Sequence, residues 1–130
     1  MKKIGFLLVT VCMVAFFACS TTSENKPEQT VENYLDALKA EKYKKALDYM
    51  DLDLDKEEKE QVDMLIEKMK NDADENGNLK NYTITSVEMK ESNPDKATVH
   101  TTLTYGNGEK EESFKLVKKD GKWKISFSIF

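Results

Sequence analysis

The sequence contains no arginine: its 20 basic residues are all lysines, set against 24 aspartates and glutamates in a chain of 130 residues. Lysine lacks the planar guanidinium group that binds phosphate and guanine through paired hydrogen bonds. A nucleic-acid-binding protein is expected to present such groups on a basic face, whereas this chain has a formal net charge of −4. The composition therefore predicts no nucleic-acid partner.

Cysteine and histidine are also scarce, with two cysteines and one histidine. Cys12 lies inside an N-terminal apolar run, residues 4–18, which follows Lys2 and Lys3. This run is shorter than the roughly 20 residues needed to span a bilayer, and its charged start is typical of a secretory signal. Cleavage would leave Cys19 without a disulfide partner. We predict no cofactor, and no His-Glu or Cys-His spacing supplies the convergent ligands of a metal site.

The apolar run ends in Phe16-Phe17-Ala18-Cys19, which resembles a bacterial lipobox, where a small residue precedes a cysteine that is lipidated and becomes the mature N-terminus. Ala18 and Cys19 fit this pattern, whereas Phe16 departs from the usual leucine and Phe17 is bulkier than usual. The resemblance implies a signal peptide over residues 1–18, cleavage after Ala18 and a lipid on Cys19. Plain secretion and an uncleaved membrane anchor are the alternatives. A lipidated Cys19 excludes thiol nucleophile and redox chemistry.

Residues 19–26 are small, polar and without pattern, which indicates a flexible tether in front of a single domain over residues 27–130. A tether of this length reaches roughly 26 Å when extended, so we expect the domain to lie close to the membrane. No acidic cluster follows Cys19, and we expect an exported protein, lipid-anchored in the cell envelope and facing the periplasm. Its other partner would be a protein or a small hydrophobic ligand, and the oligomeric state is left open.

Three stretches repeat apolar residues at i, i+3, i+4 and i+7, the spacing of an amphipathic helix. They begin at Val31, Tyr43 and Val62. The first two predict two helices, or one bent helix, over Pro27–Met50, and the third predicts a separate helix.

Polar residues mark the expected helix ends. Asn25 is positioned to cap the first helix, and Asp55 to cap the third with Glu58 as its capping-box partner. After the third helix, Asp72, Asp74 and Asn76 match positions 1, 3 and 5 of a calcium-binding loop.

This calcium candidate is weak, because Thr83 stands where the bidentate glutamate of such a loop belongs. The alternative for the same stretch is a helix stop, with Gly77 in the left-handed conformation.

From Leu79 onward the apolar period changes to two, which predicts strands. The alternation changes phase near Thr85-Ser86 and indicates a bulge there. Turns are predicted at Asn93-Pro94-Asp95 and, further on, around Gly106.

The last two strands are predicted to form a hairpin, since Asp120-Gly121 supplies the positive φ values of a type I′ turn. This register directs Trp123 inward, whereas His100 lies in the opposite, threonine-rich phase of its strand and is expected to be solvated. The inward positions as we assign them contain no carboxylate and no histidine. They are Tyr82, Ile84, Val87, Met89, Ala97, Val99, Thr101, Leu103, Tyr105, Phe114, Leu116, Trp123, Ile125, Phe127 and Ile129.

Helices followed by four antiparallel strands and a closing Lys-Asp-Gly-Lys-Trp hairpin resemble the cone-shaped nuclear transport factor 2-like and cystatin-like folds. Pro27 with the segment that begins at Tyr34, the segment Tyr43-Lys44-Lys45-Ala46-Leu47 and the final hairpin resemble a family of bacterial lipoproteins of unknown function. We therefore predict an α+β fold, with N-terminal helices packed on a curled four-stranded antiparallel sheet. The periodicity alone predicts the same two layers.

Two functions are compatible with this fold. The first is a non-catalytic binding or interaction module, and the second is an enzyme of isomerase, dehydratase or hydrolase type that acts on a small hydrophobic molecule inside the cone. The residues expected to line such a pocket are Tyr34, Leu38, Val99, Thr101 and Trp123.

An enzyme would require an acid or a histidine buried in a cavity of about 300 Å³ or more beside Tyr34 or Trp123. Asp36 and Asp48 are the helix residues that could reach the mouth of the cone, although solvated faces suit them better. We assign no catalytic residue and favour the binding module.

Overall fold

The structure, a computed structural model, describes residues 26–52 and 58–126. Within these ranges the chain forms helices first and strands afterwards. The elements are α1 (Pro27–Lys39), α2 (Tyr43–Leu47), α3 (Lys59–Asn76), β1 (Leu79–Lys90), β2 (Asn93–Tyr105), β3 (Gly108–Lys119) and β4 (Lys122–Ile125). The strands form one four-stranded sheet in the order β1-β2-β3-β4, antiparallel throughout. The predicted α+β architecture is confirmed.

The N-terminal region contains two separate helices rather than one bent helix. The chain turns between them at Glu41, whose φ of 58° is left-handed. Helix α1 starts with Pro27 in its first turn and has Lys26 as N-cap, without a side-chain capping bond. Asn25, the predicted cap, lies outside the described residues.

The capping box predicted for the third helix is wrong at its second member. Glu58 has extended backbone angles (φ −68°, ψ 141°) and is the N-cap of α3, with no side-chain capping bond. A residue in this conformation cannot occupy the third helical position that a capping-box partner requires. Asp55 lies outside the described residues.

The hairpin between β3 and β4 has the predicted geometry. Asp120 and Gly121 have φ values of 52° and 76°, and Lys119 lies opposite Lys122. Trp123, on the inner face, is only 6% exposed. The inward positions Phe127 and Ile129 lie outside the described residues.

The predicted bulge in β1 is confirmed by a register shift between Ile84 and Ser86. Beyond the bulge, Val87 and Met89 pair with inner-face residues of β2, so they share the inner face as expected. They are nevertheless 37% and 51% exposed, because the described helices leave this end of the edge strand uncovered.

The turn predicted at Asn93-Pro94-Asp95 is displaced. The turn consists of Glu91 and Ser92, and β2 already begins at Asn93. Lys90 pairs with Asn93 while Met89 pairs with Ala97, so Pro94 lies in an irregular part of the β1–β2 ladder. A proline is tolerated there because it removes no regular ladder hydrogen bond.

Helix α1 covers the inner face of the sheet. Its Val31 and Leu35 are fully buried and pack in one cluster with Val99, Leu103 and Leu116 from the central strands. Burial of each such side chain contributes about 1.5–3 kcal/mol. The apolar stripe of the helix and the alternation of the strands therefore meet in a single core.

Helix α3 is attached less tightly: none of its residues is fully buried, although its apolar side chains pack partly buried against the core. These are Val62, Leu65, Ile66 and Met69. The C-terminal end of α3 is joined to the β2–β3 turn by backbone hydrogen bonds from Gly106 to the carbonyl of Gly77 (2.6 Å) and from Asn107 to the carbonyl of Asn76 (3.1 Å). A Cβ on Gly106 would collide with the Gly77 carbonyl oxygen, so this approach requires glycine.

Trp123→Ala is expected to lower the free energy of unfolding by about 3–5 kcal/mol, because it empties a large volume of the core that surrounding side chains cannot refill. Urea denaturation of the variant and wild type measures this loss. Lys122→Ala, at the exposed neighbouring position, is the control and should change stability by less than about 0.5 kcal/mol. A Trp123→Ala loss as small as that of the control would contradict the assigned inner face.

Candidate functional site

An open cleft of about 360 Å³ lies between the helices and the end of the sheet where β2 passes into β3. Helices α1, α2 and α3 contribute one side, and strands β1, β2 and β3 the other. The lining residues are Tyr34, Leu35, Leu38, Tyr43, Met69, Asp72, Ala73, Glu75, Asn76, Leu79, Leu103, Tyr105, Lys110, Glu112 and Phe114. We call this space the cleft.

Aromatic rings form much of its wall. Tyr34 of α1 meets Phe114 of β3 edge to face, with ring centroids 5.8 Å apart and an interplanar angle of 68°. Tyr43 from α2 and Tyr105 from the end of β2 add two further rings. Tyr34 is placed here because it is part of the apolar stripe of α1, beside the fully buried Leu35.

Charged groups share this space with the rings. Asp72 and Glu75 come from the last turns of α3, and Lys110 and Glu112 from β3. Glu112 lies opposite Thr101, an inner-face residue that is 2% exposed, so Glu112 also belongs to the inner face.

The prediction that the inward positions contain no carboxylate is therefore wrong. The signal was present in the sequence, because the alternation of Leu116 and Phe114 continues backwards to Glu112 and Lys110. Our assignment of β3 began at its first apolar residue and missed both charged positions.

Glu112 lies in an electrostatically unfavourable place for a carboxylate. Partial burial raises its pKa above the ordinary value, Lys110 acts in the opposite direction, and the negative charge of Asp72 raises it further. The residue still keeps an exposed surface. Its ionised form is therefore only partly hydrated, although water still reaches it.

Two tyrosines of the cleft, Tyr34 and Tyr105, also have raised pKa values. Burial is the main cause of the raised pKa of both Tyr34 and Tyr105, and the charges of Glu112 and Asp72 raise both further. Both phenols remain protonated at neutral pH, so they can donate hydrogen bonds but cannot act as bases.

The structure brings together only some of the residues expected to line a pocket. Tyr34 and Leu38 line the cleft. Val99 and Thr101 are buried in the core, where the Thr101 hydroxyl donates to the backbone carbonyl of Glu112 at 2.8 Å. Trp123 lies apart from the cleft and borders a separate hollow.

The candidate calcium ligands Asp72, Asp74 and Asn76 all lie within α3. Side chains two positions apart on a helix point to nearly opposite sides, so the three cannot converge on one ion. Gly77 ends the helix with a φ of 79°, which agrees with the helix-stop interpretation. Among residues 26–52 and 58–126, no group of three His, Cys, Asp or Glu side chains is arranged to hold a metal.

His100 acquires neighbours that sequence spacing did not supply, because strand pairing brings them to it. Its Nδ1 lies 2.7 Å from the hydroxyl of Ser113, and its Nε2 lies 3.3 Å from a carboxylate oxygen of Glu88 without hydrogen-bond geometry. The Glu88 side chain is 72% exposed. A carboxylate so well hydrated does not orient an imidazole as a catalytic triad requires, so we interpret this cluster as structural.

The two helix carboxylates considered for catalysis lie outside the cleft. Asp36 is exposed and accepts a hydrogen bond from the Tyr82 hydroxyl at 2.8 Å. Asp48 is exposed at the end of α2.

The predicted signal cleavage and lipidation sites, Ala18 and Cys19, lie outside the described residues. Within the described ranges, no helix combines the length and hydrophobicity needed to cross a membrane.

The helical layer and the curled four-stranded antiparallel sheet define a nuclear transport factor 2-like (NTF2-like) α+β fold. Residues 55–130 match the family described as low molecular weight antigen MTB12, C-terminal domain, and the chain belongs to this family. No curated protein matches the chain in sequence.

Solved structures share the fold at low sequence identity. A Campylobacter jejuni protein with the provisional name NTF2-like transpeptidase has a TM-score of 0.58 and 20% identity, over 79% of this chain and 99% of its own. A DUF4783 family protein from Bacteroides ovatus gives 0.55 and 14%, over 80% and 92%. The de novo designed NTF2 fold protein NT-9 gives 0.51 and 17%, over 83% and 89%. Identities this low establish the fold alone.

Glu112→Gln is expected to raise the unfolding temperature at pH 7. A raised folded-state pKa means that the unfolded chain loses its proton first, so wild-type stability falls as pH rises from the ordinary glutamate value through the folded-state value. Glutamine does not titrate. The higher stability of Glu112→Gln should therefore disappear at about pH 3, where the Glu112 carboxyl of the wild type is protonated in both the folded and the unfolded chain.

Thermal unfolding from low to neutral pH measures this effect. Glu111→Gln is the matched control, because Glu111 is the exposed neighbour in the opposite phase of β3. If the unfolding temperatures of Glu112→Gln and Glu111→Gln change with pH in the same way, the cleft does not raise the pKa of Glu112.

Proposed function

We propose that this protein is an envelope lipoprotein whose domain is a non-catalytic module that binds a small molecule in the cleft. The observation that carries the binding role is the cleft itself, an open space of about 360 Å³ walled by aromatic rings. Its volume lies in the range of about 300–1,000 Å³ typical of small-molecule sites. The NTF2-like fold, with helices over one face of a curled sheet, is consistent with such a module.

The anchoring part of the proposal is supported by the N-terminal sequence. Lys2 and Lys3, the apolar run over residues 4–18 and the Ala18-Cys19 pair follow the order of a lipoprotein signal. The polar tether over residues 19–26 would hold the domain close to the membrane, facing the periplasm.

A second candidate function is general acid–base catalysis by Glu112. Its raised pKa favours this function, and so does its position beside Tyr34 in a cavity larger than the roughly 300 Å³ expected for an enzyme of this fold. An enzyme of this kind requires a buried acid or histidine, and Glu112 does not fully meet this requirement because it keeps an exposed surface. The tyrosines of the cleft are held protonated and cannot serve as its partner base. Binding therefore accounts for more of the site than catalysis does.

Cys19→Ala is expected to abolish lipidation and to move the protein from the membrane fraction to the soluble fraction. Intact-mass analysis of the membrane-bound wild type should show a chain that starts at Cys19 and carries added acyl mass. A mature chain with any other N-terminus, or membrane retention of Cys19→Ala, would contradict the anchoring proposal.

Ala73→Trp is expected to block ligand binding, because Ala73 lines the cleft and the indole would fill it. Native mass spectrometry after incubation with envelope extract should detect a small molecule retained by the wild type and absent from the variant. Met64→Trp, on the same helix at a position that is 64% exposed, is the control and should retain the molecule.

Circular dichroism should first show that both tryptophan variants are folded. Equal retention by Ala73→Trp and wild type would argue against the cleft as the site. Conversion of an extract component by wild type and not by Glu112→Gln would favour the catalytic alternative.

A further inference from the structure

We propose that the cleft binds a small organic cation, with the Glu112 carboxylate as its counter-ion and the rings of Tyr34 and Tyr105 as its walls. This inference rests on the proposed binding function and specifies the class of ligand. An ammonium or quaternary ammonium group attached to an apolar body would match the chemistry of the lining.

The charge balance of the cleft favours a cation. Its lining contains three carboxylates, on Asp72, Glu75 and Glu112, and one ammonium, on Lys110. An anionic ligand would add a further negative charge to this field. A neutral ligand would displace water from the partly buried Glu112 carboxylate without supplying an opposite charge, which is unfavourable.

Lys110 does not cancel this field. At Glu112 itself burial raises the pKa and Lys110 opposes it more strongly than Asp72 adds to it, so the upward shift there reflects burial. At Tyr34 and Tyr105, in contrast, the charges of Glu112 and Asp72 both raise the pKa and no cation among the described residues opposes them, so the field at the rings is negative. Among the described residues no ion pair within 4.0 Å joins Lys110 to Glu112. The carboxylate is therefore available to an incoming positive charge, which would bind more strongly than at a fully hydrated surface site.

The rings supply the second component of cation recognition. An aromatic face attracts a cation through its quadrupole, and cages of several rings are the usual protein site for quaternary ammonium groups. Four aromatic side chains line the same cleft as Glu112, namely Tyr34, Tyr43, Tyr105 and Phe114. The edge-to-face contact between Tyr34 and Phe114 fixes two of these rings.

Oxygen atoms of the cleft lining are also available to accept hydrogen bonds from a ligand. No hydrogen bond joins the hydroxyl of Tyr34 or Tyr105, or the carboxylate of Glu112, to another side chain or backbone group within the described ranges. Oxygen atoms can accept hydrogen bonds from a primary ammonium, and the ring faces suit a quaternary one. Both kinds of cation are therefore included in the test.

The test is an NMR titration of the isotopically labelled domain, followed at the backbone amides of Ala73, Tyr105 and Glu112. The cationic probes are choline, phenethylammonium and benzyltrimethylammonium. The uncharged controls are 3,3-dimethylbutan-1-ol, which has the shape of choline, and benzyl alcohol, and the anionic control is benzenesulfonate. We expect at least one cation to bind at the cleft amides about tenfold or more tightly than every control.

Three variants separate the local field of the cleft from the overall charge of the protein. Glu112→Gln should weaken cation binding about tenfold, because it removes the counter-ion at nearly constant shape. Lys110→Gln should strengthen binding, because it removes the opposing charge. Glu111→Gln, with the same change in net charge as Glu112→Gln but in the opposite strand phase, should leave binding unchanged.

Each other outcome contradicts the inference. If controls bind at the cleft amides as tightly as the cations, the cleft is a binding site but not one for cations, and the proposed function stands. If no probe shifts these amides while wild type retains an extract molecule that Ala73→Trp loses, the ligand class is again wrong and the function stands. If both experiments are negative, the proposed binding function fails as well.

Discussion

The hydrogen bond from the Gly106 N–H to the Gly77 carbonyl joins the C-terminal end of α3 to the β2–β3 turn, and the position of the cleft depends on this connection. Helix α3 has no fully buried residue, and its apolar side chains pack against the core only partly buried, so the backbone connection adds to a looser packing than that of α1. The space left between α3, α1 and the end of β2 and β3 is the cleft.

The cleft combines groups that favour folding with one that opposes it. The ring of Phe114 and the side chains of Leu35 and Leu103 are buried and stabilise the fold. Glu112 lies on the same inner face, where partial burial penalises its charge. Four aromatic side chains line the cleft together with this carboxylate. A charged group kept in an unfavourable environment beside several rings is typical of a binding site rather than of a packed core.

Most elements could be predicted from local pattern, whereas the start of α3 and the turn before β2 were displaced by a few residues. The Asp120-Gly121 turn and the β1 bulge depend on neighbouring residues and were predicted at the correct positions. The site was predicted less well. Glu112 was missed because the assignment of β3 began at its first apolar residue, although the alternation continues back to Glu112. Ser113 and Glu88 reach His100 only through strand pairing, which the sequence spacing does not show.

The sequence by itself determined the layers and the register: helical stripes, strand alternation and a type I′ turn together specify which side chains face the core. It also contained the lipobox-like segment, which is the basis of the proposed anchor. Only the tertiary structure decided that α3 is held at its end, that Val87 and Met89 stay uncovered and that Glu112 shares a cleft with Tyr34 and Tyr105. These features depend on the distance between elements remote in sequence, which periodicity within one element does not encode.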